Sequence, residues 1–138
     1  MCIRDRLVGY PILDLERIGV SLRDYIFSLE ESVIRTVADY GITAGRLEGA
    51  TGVWIDPHTP RARKICAIGV KASHFVTMHG FALNVTTDLN YFSHINPCGF
   101  TDKGVTSIER ETGLKPSLEE VGQRFTAHFG EILKIELK

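Results

Sequence analysis

Residues 7–138 predict an α+β fold, a mixed, largely antiparallel sheet with helices packed on it. Three observations carry that expectation. Two stretches, Ser21 to Tyr40 and Ser117 to about Lys134, repeat apolar residues every three or four positions, as amphipathic helices do. Between them lie three segments of strand character, Gly52 to Asp56, Lys64 to Ser73 and Phe81 to Thr87, separated by short loops as in an antiparallel meander. A length of 138 residues fits one domain or part of one, at about 100–200 residues per domain. Repeats, low-complexity tracts and internal linkers are absent from the sequence.

Taken in order, Met1 to Arg6 fit no amphipathic template and read as a non-native leader. Leu7 to Leu15 (LVGYPILDL) reads as a strand, with Pro11 confining it to an edge or a bend. Ser21 and Asp24 form a capping box at the start of the first helix. Leu22, Tyr25, Ile26, Leu29, Val33 and Val37 make its apolar stripe, and Gly41 stops it. Glu30, Glu31, Arg35 and Asp39 are expected on the solvated face. The run Asp56-Pro57-His58-Thr59-Pro60 is a turn. Gly69 inside the second strand marks a bulge or a close backbone approach. Asp88 to His94 reads as a short helical turn and Ile95 to Gly99 as a loop; Val105 to Ile108 fits a strand or a helix start. Ser117 and Glu120 then cap the second long helix, whose stripe is Leu118, Val121, Phe125, Phe129, Ile132 and Leu133.

Composition excludes several function classes. Sixteen basic against 17 acidic residues give a net charge of -1, so no overall basic field exists to hold nucleic acid. Hydrophobic residues at 43% and charged residues at 24% are those of a folded globular chain. No apolar run approaches the roughly 18–20 residues that span a bilayer, and the N-terminus lacks a signal-peptide core. Cys2, Cys66 and Cys98 are too few and too scattered for a disulfide framework or a four-thiolate zinc site. Free thiols and a cytoplasmic location follow as expectations.

Cys98 is the residue most suggestive of chemistry. It reads either as a small buried hydrophobe or as a nucleophile in the loop Asn96-Pro97-Cys98-Gly99. Pro97 fixes the chain before the sulfur, and Gly99 leaves the following backbone open to an acyl group needing N–H donors. Cys66, within an apolar strand, reads as packing, and Cys2 lies in the leader. A thiol of pKa about 8.5 is only slightly ionised at neutral pH, so a base or cation must assist it. His58, His74, His79, His94, Lys64, Lys71 and Lys103 are all available, and spacing does not choose among them. His74 and His79 have no third ligand in sequence, so no metal is expected.

Four segments, taken together, match a family. Lys64-Ile-Cys-Ala-Ile-Gly69, Met78-His-Gly-Phe-Ala-Leu-Asn84, Ile95-Asn-Pro-Cys-Gly99 and Val105-Thr-Ser-Ile108 resemble, in order and spacing, the lipoyl(octanoyl) transferases. The resemblance runs from about Leu7 to the C-terminus. It implies a fold like that of biotin and lipoate ligases. It also implies a reaction: an octanoyl group passes from octanoyl-acyl carrier protein, through a thioester on Cys98, to a lysine of a lipoyl domain. The acceptors implied are the lipoyl domains of 2-oxoacid dehydrogenase complexes and the glycine cleavage H protein, with no cofactor, nucleic acid or membrane involved. Lys64 matches the lysine paired with the cysteine. Beside a narrow apolar slot such an amine can exchange a proton with the thiol and later with the attacking amine. Ala67, Ile68 and Gly69 match one backbone segment lining the acyl site, and Gly80, Phe81 and Ala82 match another. His79 and Asn84 are expected to brace the site by hydrogen bonds.

The family carries an Arg-Gly-Gly…His-Pro-Gly-Gln segment before the LVGYPILDL strand, and this sequence has nothing like it. The resemblance therefore implies that residues 7–138 are the C-terminal part of a single catalytic domain, truncated at the N-terminus. Such a polypeptide on its own is expected to be weakly stable and to have little or no transferase activity. Two other readings stand beside it: an ATP-dependent lipoate or biotin protein ligase-like domain, which needs no cysteine, and an inactive fragment.

Overall fold

The structure, a computed structural model, describes residues 6–9, 19–69, 72–73, 76–77, 80–86 and 104–136. In chain order the elements are β1 (Arg6–Gly9), α1 (Leu22–Ala38), β2 (Gly45–Leu47), β3 (Ala50–Ile55), β4 (Arg63–Ile68), β5 (Ala72–Ser73), β6 (Val76–Thr77), β7 (Phe81–Asn84), β8 (Gly104–Val105), α2 (Ile108–Thr112) and α3 (Leu118–Glu136). Among the described residues the main sheet runs β1-β7-β4-β3-β2, every pair antiparallel. β8 joins it as a parallel neighbour of β4, so the sheet is mixed and largely antiparallel, as predicted. β7 pairs with Cys66 to Ile68, and β8 takes over at Arg63 and Lys64. The ambiguous stretch Val105 to Ile108 is thus both: a strand end, then a helix whose N-cap is Ser107.

The two long helices form where the caps predict. Ser21 accepts from the Asp24 N–H at 3.1 Å, and Ser117 from the Glu120 N–H at 3.1 Å. Gly41, at φ 86°, takes the left-handed turn that lets the Ile42 N–H reach back to the Val37 carbonyl. α1 and α3 pack together, and each also reaches the sheet. Tyr25, Leu29, Val33 and Val37 of α1 meet Val53, Ile55, Ile65, Cys66, Phe81 and Leu83 of the sheet and Val121 and Phe125 of α3 in one core. Fully burying each such aliphatic side chain contributes about 1.5–3 kcal/mol. Phe125 stacks between Phe81 and Phe129, with ring centroids 4.2 and 5.5 Å away.

Several expectations need correction. Leu22 is 37% exposed and does not join the core, whereas Ser28, Ser32 and Thr36 are fully buried. Each of these hydroxyls donates to the carbonyl four residues back, at 2.8, 2.6 and 2.7 Å, so α1 buries small polar residues at no cost in unpaired groups. Glu30, Glu31, Arg35 and Asp39 are paired rather than simply solvated. Glu30 and Glu31 hold Arg46, Glu31 also holds Arg35, and Asp39 meets His128 and Arg124 of α3. The second predicted strand does not run from Lys64 to Ser73. It ends at Ile68, and Ala72–Ser73 instead pair with Val76–Thr77 in a separate two-stranded sheet. Gly69, lacking a side chain to hold the pleat, is where the chain leaves the main sheet, its N–H still donating to the Gly80 carbonyl at 2.9 Å.

The first strand starts at Arg6, one residue inside the expected leader, and pairs only with β7 among the described residues, consistent with an edge position. The rest of the predicted Leu7 to Leu15 strand, the turn at Asp88 to His94 and the loop Ile95 to Gly99 lie outside the described residues.

Candidate active site

A single irregularity in β4 decides what each of its side chains faces. Val53 pairs with Cys66 and Trp54 with Lys64, so Ile65 is an extra residue opposite the Val53–Trp54 step. Because of this bulge both Ile65 and Cys66 enter the helix-side core. Ile68 packs against that same core, and alternation then leaves Lys64 and Ala67 on the other face. β3 alternates in the same sense. Val53 and Ile55 join the core, while Trp54, although only 2% exposed, does not belong to it.

On this second face Lys64 Nζ lies 5.0 Å from the centroid of the Trp54 ring. The lysine stem crosses Gly52, where an added Cβ would stand 3.4 Å from Cε and 3.6 Å from Cδ. That Cβ would also come within 2.7 Å of the Cys66 carbonyl oxygen, and Gly52 has φ 133°, so glycine is required on both counts. Glu30 reaches across from α1 to accept from the Gly52 N–H at 3.2 Å. The Trp54 indole N–H donates to the Ala50 carbonyl at 3.2 Å.

The two segments expected to line an acyl site are neighbours in the sheet. Ala67 pairs with Ala82 and Ile68 with Phe81, and the Gly69–Gly80 backbone bond continues the ladder. Ala67 and Ala82 lie side by side on the Lys64 face, Ala67 exposed and Ala82 half-buried, making a shallow floor of methyl groups. Ile68 and Phe81 turn their side chains toward the helices, so only their backbones border the floor. For Phe81 the reason is plain: its ring fills the space above Gly9, where a Cβ would lie 2.5 Å from it.

A polar chain fixes the other side of β4. Arg6 Nε donates to Asn84 Oδ1 at 3.0 Å, and Asn84 Nδ2 donates to the Thr106 carbonyl at 3.0 Å. The Thr106 N–H donates to the Lys64 carbonyl at 2.9 Å. The Thr106 hydroxyl donates to Glu111 Oε2 at 2.6 Å, and Glu111 takes Arg63 through both its oxygens at 2.6 and 2.7 Å. Asn84, expected to brace the site, thus hydrogen-bonds Arg6 and Thr106; His79 lies outside the described residues.

Cys98 also lies outside the described residues, as do His74, His94, Lys71, Lys103 and Cys2. Cys66 does not take its place. It is fully buried, and burial pushes its thiol up, outweighing the Ala82 backbone and the Lys64 charge that pull it down. His58 sits in the Asp56–Pro60 turn at φ 69° and lines an open groove beside Leu22, Phe27 and Arg46, away from the floor. Among the described residues no group of three His, Cys, Asp or Glu side chains could hold a metal ion, and no helix is long and apolar enough to cross a membrane. Sequence reasoning missed Trp54 and Gly52; a glycine two residues before an aromatic in a strand was the available signal.

Residues 4–130 match the family described as lipoyl protein ligase A/B catalytic domain. The chain belongs to that family. Within the lipoyl protein ligase A/B family, its sequence is similar to proteins named octanoyltransferase. That of Bacteroides thetaiotaomicron is 60% identical over 128 residues, covering 93% of this chain and 56% of the relative. That of Parabacteroides distasonis is 58% identical, covering 92% and 58%. That of Christiangramia forsetii is 53% identical over 134 residues, covering 96% and 57%. The chain thus spans a little over half the length of these relatives. In fold it resembles the biotin protein ligase of Aquifex aeolicus, with a TM-score of 0.71 at 18% identity over 94% of this chain and 53% of that one. That likeness agrees with the predicted ligase-like architecture.

Proposed function

We propose that this chain carries the acyl-transfer centre of an octanoyltransferase acting in protein lipoylation, with Cys98 as acyl carrier and Lys64 as its proton-exchange partner. The observation that supports this most is the face of the sheet just described. It carries the Lys64 amine on the same face as the small side chains Ala67 and Ala82, whose ladder the Gly69–Gly80 backbone bond continues. A chain of methylenes needs such a shallow apolar bed, and a thioester carbonyl needs backbone N–H groups nearby. The octanoyltransferase relatives support the same reading.

In this mechanism the neutral Lys64 amine takes the Cys98 proton, and the thiolate attacks the octanoyl thioester of acyl carrier protein. A new C–S bond forms on Cys98, the donor's C–S bond breaks, and the proton passes from Lys64 to the departing donor thiolate. In the second half a lysine amine of a lipoyl domain attacks. Its C–N bond forms, the Cys98 C–S bond breaks, and Lys64 moves the amine's proton to the cysteine sulfur. The atoms balance with no cofactor or metal. Acceptors would be the lipoyl domains of 2-oxoacid dehydrogenase complexes and the glycine cleavage H protein, in the cytoplasm.

Incubating the protein with octanoyl-acyl carrier protein tests this. A hydroxylamine-sensitive mass gain on Cys98 is expected, lost in Cys98→Ala and slowed about 10²-fold or more in Lys64→Ala. A mass gain that survives Cys98→Ala overturns it. So does octanoylation that requires ATP and free octanoate, which is the signature of a ligase.

A further inference from the structure

We infer that Trp54 is a positioning residue for Lys64, its ring face holding the amine on the sheet face that also carries Ala67 and Ala82 while Gly52 leaves the lysine stem room to lie flat. The inference rests on the assignment of Lys64 to the reaction and goes beyond it by naming what sets the amine's place.

Three independent features converge on this. First, the register pairs Trp54 with Lys64, and the bulge at Ile65 puts both side chains on the face away from the helices. In a regular ladder of the same residues, with Cys66 still opposite Val53, Ile65 would face Trp54 and Lys64 would turn to the core. Second, Lys64 Nζ lies 5.0 Å from the ring centroid, within the roughly 6 Å at which an aromatic quadrupole attracts a cation, the form the amine takes once it holds the Cys98 proton. Third, the ring and the stem are each fixed from outside the pair. The indole is tied to Ala50 at 3.2 Å, and the stem rests on a glycine that admits no side chain. Gly52 is in turn held to α1 by Glu30. A long, flexible lysine normally samples many rotamers, and holding one of them costs entropy. Here the cost is met before substrate arrives, which is what precise placement of a proton-transfer group requires.

Trp54 is not itself proposed to touch substrate. Its buried polar bond and its bulk also serve the fold, so the test must separate ring face from folding. Trp54→Phe and Trp54→Leu both lose the indole N–H and some volume, but only Phe keeps an aromatic face over Lys64. The first readout is competitive acetylation of Lys64 by acetic anhydride, measured by mass spectrometry against the exposed Lys115 as internal standard; it needs no turnover. The second is steady-state transfer from octanoyl-acyl carrier protein.

Relative to the parent, Lys64 labelling is expected to stay within about twofold in Trp54→Phe and to rise about fivefold or more in Trp54→Leu. Where transfer is measured, kcat falls about tenfold in Trp54→Leu and recovers most of that in Trp54→Phe, with the donor KM little changed. Equal labelling in all three proteins overturns the inference. So does a kcat loss in Trp54→Phe as large as in Trp54→Leu. If Lys64→Ala abolishes transfer while Trp54→Leu leaves it at the parent level, the positioning role alone fails. If Lys64→Ala transfers at the parent rate, the assignment of Lys64 fails, and the positioning role with it.

Discussion

Replacing Glu111 by glutamine should cost the fold about 2–3 kcal/mol at neutral pH. Glu111 accepts three hydrogen bonds, from Arg63 Nη2 at 2.6 Å, Arg63 Nε at 2.7 Å and the Thr106 hydroxyl at 2.6 Å. The pair is shielded, with side-chain exposures of 25% for Arg63 and 16% for Glu111. A charge-assisted hydrogen bond of this kind contributes about 1.5–3 kcal/mol. Glutamine keeps the shape but offers one neutral acceptor oxygen, and Arg63 is left with Asp56 at 2.8 Å as its remaining carboxylate. The loss should also depend on pH in a defined direction. Arg63 first, and then the Thr106 hydroxyl, hold the Glu111 carboxyl below its usual value of 4.5. A carboxyl depressed on folding stabilises fully above its unfolded pKa, and that stability disappears as pH falls through the folded value. Urea unfolding of parent and variant should therefore show the full gap at pH 7 and a shrinking one in acid, because the parent carboxylate is then protonated as well. A gap below about 0.5 kcal/mol at pH 7, or one equally large at pH 7 and at strongly acid pH, would refute the reasoning.

Two further outcomes are expected. Gly52→Ala places a Cβ 2.7 Å from the Cys66 carbonyl at φ 133°, so it should destabilise by about 2 kcal/mol or more; a melting temperature equal to the parent's would contradict that. Phe125→Ala removes the ring between Phe81 and Phe129 and should lower unfolding free energy by about 3–5 kcal/mol, read by chemical denaturation.

What could be read from sequence divides along physical lines. α1 and α3 were legible because Ser21 and Ser117 cap them and their apolar residues recur at helical spacing. The burial of Ser28, Ser32 and Thr36 was not, since a hydroxyl that donates to its own helix reads in sequence as a solvent-facing polar group. The meander was legible from its short loops, but its irregularity was not. Ile65, Cys66, Ala67 and Ile68 form an unbroken apolar run, and such a run contains no alternation from which to place a bulge. β8 is only two residues long and parallel, which no local pattern announces. In the candidate site, the backbones of Ala67 to Gly69 and Gly80 to Ala82 are neighbours in the ladder. The Trp54–Lys64 contact depended on the bulge and so was invisible. Cys98 remains where the sequence left it.

The doubled core residue in β4 has a consequence for how this domain can change. One inserted position acts as a parity switch. Up to Lys64 the strand shows its even-numbered side chains to the reaction face, and past Cys66 it shows the odd-numbered ones. Were the same residues laid out without the bulge, the lysine would turn inward, toward the oily interior, while every downstream pairing stayed in place; deleting Ile65 instead would restore regular alternation with Lys64 still opposite Trp54. The chemistry of this face therefore hangs on one unpaired position that sets which way the lysine looks.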